Sequence, residues 1–155
     1  MISLLLSLFP MVMAMDDPMG TGGAPTPTAS SDKTTAEYLS DLDGDKPSDR
    51  LLAARVLQGQ LRRALRTEAR GKVGTLAYDD ARAALVELEQ RLPGACTNAL
   101  AYANVVAPCA EMLAMLDVFE AIPAIEAVLT TETRKGPQRR ITEALATLKE
   151  KQAAG

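Results

Sequence analysis

The side chains able to carry chemistry are few in kind. The chain has no histidine, two cysteines, and acidic and basic residues in near balance, 20 against 17. Without histidine there is no Ser-His-Asp or Cys-His nucleophile, no imidazole metal ligand and no ordinary general base near neutral pH. Carboxylate or lysine chemistry remains open in principle, but the Asp and Glu residues fall at expected turns and on outward helix positions. No residue set reads as catalytic, cofactor-binding or metal-ligating. The expectation is therefore a protein that is not an enzyme and carries no cofactor.

Cys96 and Cys109 are the only thiols. An even pair in an exported chain suggests a disulfide, and the spacing is not the Cys-x-x-Cys of a redox enzyme. On one straight helix their Cα atoms would stand about 20 Å apart at about 1.5 Å per residue. A disulfide tolerates about 7 Å at most. A bridge therefore demands a bend between them, around Tyr102 to Val106 and assisted by Pro108. The alternative is two buried thiols.

Asp41-x-Asp43-Gly44-Asp45, with Asp49, invites a calcium reading. An EF-hand loop needs glycine at its sixth position and a bidentate glutamate at its twelfth. Counted from Asp41 these are Lys46 and Leu52, so a polar turn is the better reading.

Arg55, Arg62, Arg63, Arg66 and Arg70 fall within an arc of about 100° on a helical wheel, away from a leucine stripe, and Lys72 extends the patch. One reading is a docking face for an acidic partner or an anionic surface. The other is a solvated face, since arginine is a good helix former and exposed ion pairs contribute little. Nucleic acid is excluded as a partner: the net charge is −3, and there is no Trp to stack bases. A protein partner is favoured over a membrane surface. Met112 and Met115, spaced as on a helix beside Leu116, read as core.

The elements that must position these residues are helical. Apolar residues make up 47% of the chain but aromatics only 3%, so the core must be built from Leu, Ala, Val, Ile and Met. A short helix capped by Thr34 or Thr35 carries Tyr38 and Leu39, and Asp43 to Pro47 breaks it. Ser48 stands where an N-cap belongs, opening a long helix to about Arg70 with Gly71 as its stop. Leu51, Ala54, Leu57, Leu61 and Leu65 share its inner face. Gly59, which costs about 1 kcal/mol relative to Ala, marks a kink or a close helix contact. A third helix is expected from Tyr78 to Leu92, with Ala81, Leu85, Leu88 and Leu92 inward and Pro93-Gly94 ending it. Residues 95–108 admit a short helix. Cys109 to Phe119 forms the next, with Met112, Met115, Leu116 and Phe119 inward, and Ile122 to Thr130 follows, opened by Pro123. Lys135-Gly136-Pro137 reads as a turn before a last helix holding Ile141, Ala144, Leu145 and Leu148. No segment alternates with period two, so the class is all-α.

Ahead of this body, Ile2 to Ala14 is apolar and uncharged, and Val12-Met13-Ala14 has the pattern of a cleavage site. Residues 1–14 are expected to be a signal peptide, although no Lys or Arg precedes the apolar run. Residues 15–33, with Gly20, Gly22, Gly23, Pro25 and Pro27, are expected to be a disordered linker. The helical domain is then 34–152, exported to a periplasmic or extracellular location.

Leu39-x-x-Leu42-Asp43, Asp45 and Arg50-Leu-Leu-Ala53-Ala54-Arg-Val-Leu57 resemble the HEAT-like repeats of the phycobilisome-lyase type, where Arg-x-x-Ala-Ala-x-x-Leu opens the second helix. Glu120 to Leu129 looks like another first helix, and Arg140-Ile-Thr-Glu-Ala144-Leu-Ala-Thr-Leu148 like its second, with Glu143 standing at an alanine position. Ala110 to Leu116 echoes Thr142 to Leu148 at an offset of 32 residues, a period typical of helical solenoids. The resemblance implies a short right-handed stack of antiparallel helical hairpins, an α-solenoid, with Asp and Arg near the turns bridging successive repeats. It implies protein binding along one face; a minority of such proteins are associated with chromophore attachment. The expected function is a non-catalytic protein-interaction or scaffold module of the cell envelope or extracellular space. The alternatives are an enzyme accessory of the lyase-like HEAT kind and a peripheral binder of anionic surfaces through the arginine-rich helix.

Overall fold

The computed structural model describes residues 33–155. The expected signal peptide, 1–14, and nearly all of the expected linker lie outside the described residues. Lys33, assigned to that linker, is held to the body by an ion pair with Asp41 at 2.7 Å.

The described residues form α1 (Thr35–Leu42), α2 (Pro47–Arg70), α3 (Leu76–Ala99), α4 (Val106–Met115), a 3-10 turn (Phe119–Ala121), α5 (Ile122–Thr131) and α6 (Lys135–Ala154), with no strand among them. Thr34 caps α1 in a capping box: its hydroxyl accepts from the Glu37 N–H at 3.3 Å, and the Glu37 carboxylate accepts from the Thr34 N–H at 2.7 Å. The N-cap of α2 is Lys46, not Ser48. Pro47 explains the shift. Its ring sets the φ of a first helical position, its missing N–H would be unpaired there anyway, and it forces Lys46 into an extended conformation. Gly71 does end α2, by close approach rather than by a left-handed backbone. A Cβ at Gly71 would lie 2.6 Å from the Thr67 carbonyl oxygen and 3.0 Å from the Tyr78 ring.

Four expected boundaries are overturned. α3 does not stop at Leu92 but runs through Pro93 to Ala99. The apolar stripe Leu85, Leu88, Leu92, Cys96 and Ala99 is buried along its whole length. That burial outweighs the roughly 3 kcal/mol an interior proline costs a helix. α4 begins at Val106, earlier than Cys109, and ends before Leu116 rather than at Phe119. Its stop is a Schellman motif: the Val118 N–H donates to the Leu113 carbonyl at 3.1 Å, with Asp117 left-handed at φ 55. Lys135-Gly136-Pro137 is not a turn but the first turn of α6. Pro137 stands at its third position, where the helix has no carbonyl to offer an N–H. In the last-but-one element the expectation and the structure agree closely, Ile122–Thr131 against Ile122 to Thr130.

α1 packs against α2 and α3, α3 also against α2 and α4, and α4 against α2 and α6; α5 covers α6. α2, α4 and α6 thus lie in a row with α4 in the middle. α4 accordingly buries almost its whole circumference, from Val106 to Ala114 except for Glu111. The interior is filled by Leu42, Leu57, Leu61, Leu88, Leu92, Met112, Leu113, Ile125, Ile141 and Leu148. Of the residues expected inward, Leu51, Leu65, Ala81, Met115, Leu116 and Phe119 are only half-buried. On α2 the buried stripe turns toward Arg50, Ala53 and Ala64, because α3 lies along that side as well.

Candidate interaction surface

Two polar constellations sit on the row of α2, α4 and α6. The first is centred on Glu111 of α4. Arg140 of α6 grips it side-on, Nε to Oε1 at 2.6 Å and Nη2 to Oε2 at 2.8 Å. From the opposite side the Gln58 amide of α2 donates to Oε2, and the Arg62 guanidinium stands 3.6 Å from the same oxygen. Burial alone would raise the Glu111 pKa. The hydrogen bonds from Arg140 and Gln58, with the charges of Arg140 and Arg62, outweigh burial and hold it below its ordinary value. One carboxylate thereby ties three helices together. Sequence reasoning missed this clasp, since its members lie 29 and 53 residues apart.

The resemblance implied Asp–Arg bridges near the turns. Arg140 of α6 does bridge to an earlier helix, but onto Glu111 of α4. Arg50, in the matching place on α2, bridges to no aspartate among the described residues. It is buried at 8% exposure, donates to the Gly44 carbonyl in its own turn, and lies over the Tyr102 ring at 4.0 Å. Asn104 completes that contact by donating to the Pro47 carbonyl at 2.8 Å.

The second constellation is the arginine face. Arg55, Arg62, Arg63, Arg66 and Arg70 are all exposed. Arg62 is drawn toward Glu111; the other four have no ion pair among the described residues. Glu68, on the same helix, pairs with Arg82 of α3. Past Arg70 the chain turns through Lys72 and Val73 into α3, and here Val73 and Leu76 are 82% and 78% exposed. Beside the face, a groove of about 430 Å³ runs between α2 and α3, lined by Gln60, Arg63, Ala64, Thr67, Ala81 and Leu88. The Gln60 side-chain oxygen is buried there without a hydrogen-bond partner.

Cys96 and Cys109 are brought together. The bend falls where a bridge requires one: α3 ends at Ala99, α4 starts at Val106, and the cysteines occupy the last turn of one and the first turn of the other. Both are buried free thiols. The neighbouring Cys109, with burial, pushes the Cys96 thiol well above its ordinary value. Met112 is core, and Met115 lines a small groove with Ala144 and Thr147 of α6. Asp41 is committed to Lys33, Asp43 caps the end of α1, and no three Cys, Asp or Glu side chains converge on a point among the described residues. No family model, curated protein or solved structure matches this chain.

Proposed function

We propose that the chain is a non-catalytic interaction module, a short HEAT-like stack of three hairpins working outside the cytoplasm, that docks an acidic protein partner on the arginine face of α2. The carrying observation is charge left uncompensated by the fold. In a chain of net charge −3, four guanidinium groups on one helix face have no ion pair among the described residues, while the bordering acids Glu68 and Glu111 are engaged by Arg82 and Arg140. Arginine presents a planar fork suited to carboxylates, and such a face raises encounter rates with a partner of opposite sign. The HEAT-like reading is supported by the serial contact of α2, α4 and α6. It is supported too by the 32-residue echo, whose two copies lie on α4 and α6. Export rests on the apolar run of residues 2–14.

The test is a pull-down from cell-envelope and secreted fractions with Arg66→Glu/Arg70→Glu beside the native chain. Arg62 is left alone, because a carboxylate there would face Glu111 and disturb the fold. A protein retained by the native chain, lost with the variant and released by salt supports docking. Equal recovery by both, at equal Tm, removes the α2 face from the function. A second reading, an anionic membrane surface, is favoured by Val73 and Leu76 standing exposed between Arg70 and the start of α3. Salt-sensitive sedimentation with phosphatidylglycerol vesicles, and none with phosphatidylcholine vesicles, would favour that reading over a protein partner.

A further inference from the structure

The thiol pair is the one reactive group the proposed docking leaves unused. Cys96 and Cys109 each have no solvent exposure and lie within the one hydrophobic cluster of the body. The corner between them is hydrogen-bonded through Tyr102, whose N–H donates to Ala99 at 3.0 Å and whose carbonyl accepts from Val105 at 3.0 Å and Val106 at 3.1 Å. Among the described residues no third Cys, Asp or Glu converges on the two thiols.

We propose that Cys96 and Cys109 form a disulfide made while the chain folds and sealed thereafter, pinning α3 to α4 beneath the row α2, α4, α6. The oxidant is a disulfide, either glutathione disulfide or the active-site disulfide of an oxidoreductase. One Cys thiolate attacks an oxidant sulfur, forming a mixed disulfide and expelling one oxidant thiolate. The second Cys thiolate then attacks the protein sulfur of that mixed disulfide, closing the Cys96–Cys109 bond and expelling the other. The two thiol protons go to solvent and the two electrons leave on the reduced oxidant. The mixed disulfide requires room for a bulky adduct on a sulfur, and only thiolates react. Neither cysteine is exposed in the folded body, which leaves no room for such an adduct, so exchange belongs to the open chain. Once closed, the bond is out of reach of soluble thiols. It is a staple and not a switch.

The experiment refolds the full, reduced chain from denaturant in a buffer of oxidised and reduced glutathione, and separately exposes the already folded dithiol to the same buffer. Refolding is expected to yield a chain lighter by two hydrogens, with Tm raised on the order of 10 °C over the reduced chain. The folded dithiol should oxidise at least tenfold more slowly, and the folded disulfide should resist dithiothreitol until denaturant is added. A Cys96→Ala variant should show no redox dependence of Tm. Recovery of the refolded chain as a dithiol or a glutathione adduct overturns the bond. Oxidation of the folded dithiol as fast as during refolding overturns the sealing, and an oxidised form that melts no higher overturns the staple.

Discussion

Replacing Glu111 by glutamine tests the clasp that joins α2, α4 and α6. The amide keeps the shape but not the charge. Its nitrogen must face either the Arg140 Nε or the Gln58 amide and Arg140 Nη2, setting donor against donor whichever way it turns. Charge-assisted hydrogen bonds are worth roughly 1.5–3 kcal/mol each when well buried. Here Arg140 keeps 41% of its side chain exposed and can be rehydrated, while Glu111 keeps 19%. The whole exchange should therefore cost about 2 kcal/mol, not the full sum of two bonds. For a body of this size that is a fall in Tm of roughly 6–10 °C. A double-mutant cycle with Arg140→Met should return a coupling of about 1 kcal/mol. The pH dependence gives an independent check. The folded pKa of Glu111 lies below its unfolded value, near 4.5. Its contribution is thus complete above that value and is lost as pH falls through the folded pKa. The stability gap between native and Glu111→Gln chains, measured by urea unfolding, should therefore be full at pH 7 and shrink below pH 4.5. An unchanged Tm, or a gap that stays constant into acid, would refute the assignment of Glu111 as a charged clasp.

Gly59 lies exposed in the middle of α2 with open space where a Cβ would go, so the close helix contact anticipated for it is absent. Gly59→Ala should stabilise by about 1 kcal/mol in thermal melts. Asp117 holds a left-handed backbone at the end of α4 and, among the described residues, pairs only with exposed Lys151, so Asp117→Gly should raise stability by about 0.5–1 kcal/mol; a fall would mean the ion pair outweighs the backbone strain. Hydrogen bonds from the Arg134 side chain and backbone hold the Glu132 carboxyl at about 2. Carboxyl carbon NMR should place its midpoint there, and Arg134→Ala should return it toward 4.5. Since that pKa is lowered by folding, its share of stability is present above about 4.5 and is lost between there and pH 2.

The residues that were legible in advance are those whose signal is local. Thr34 is one of two caps offered for α1, Pro123 opens a helix, and Gly71 closes one. The spacing of Ile141, Ala144, Leu145 and Leu148 states which side of α6 is buried. The arginines of α2 share an exposed face for the same reason, as a helix repeats its direction every 3.6 residues. Where a local signal competed with burial, the local signal lost. Pro93-Gly94 reads as a stop, yet Cys96 and Ala99 continue a stripe that α3 buries against α4. Asp117 does not read as a stop, because the left-handed residue there is not a glycine.

Sequence alone determined the class of this protein, the absence of histidine chemistry, and that any bridge between Cys96 and Cys109 needs a bend, because these depend on composition, periodicity and the fixed rise of a helix. Only the tertiary structure decided that Glu111 meets Arg140 and Gln58, that Glu68 is spent on Arg82, and that both thiols are buried, one in the last turn of α3 and one in the first turn of α4. Each depends on which helices pack together, and a pairing across tens of residues leaves no mark in the local pattern of the chain.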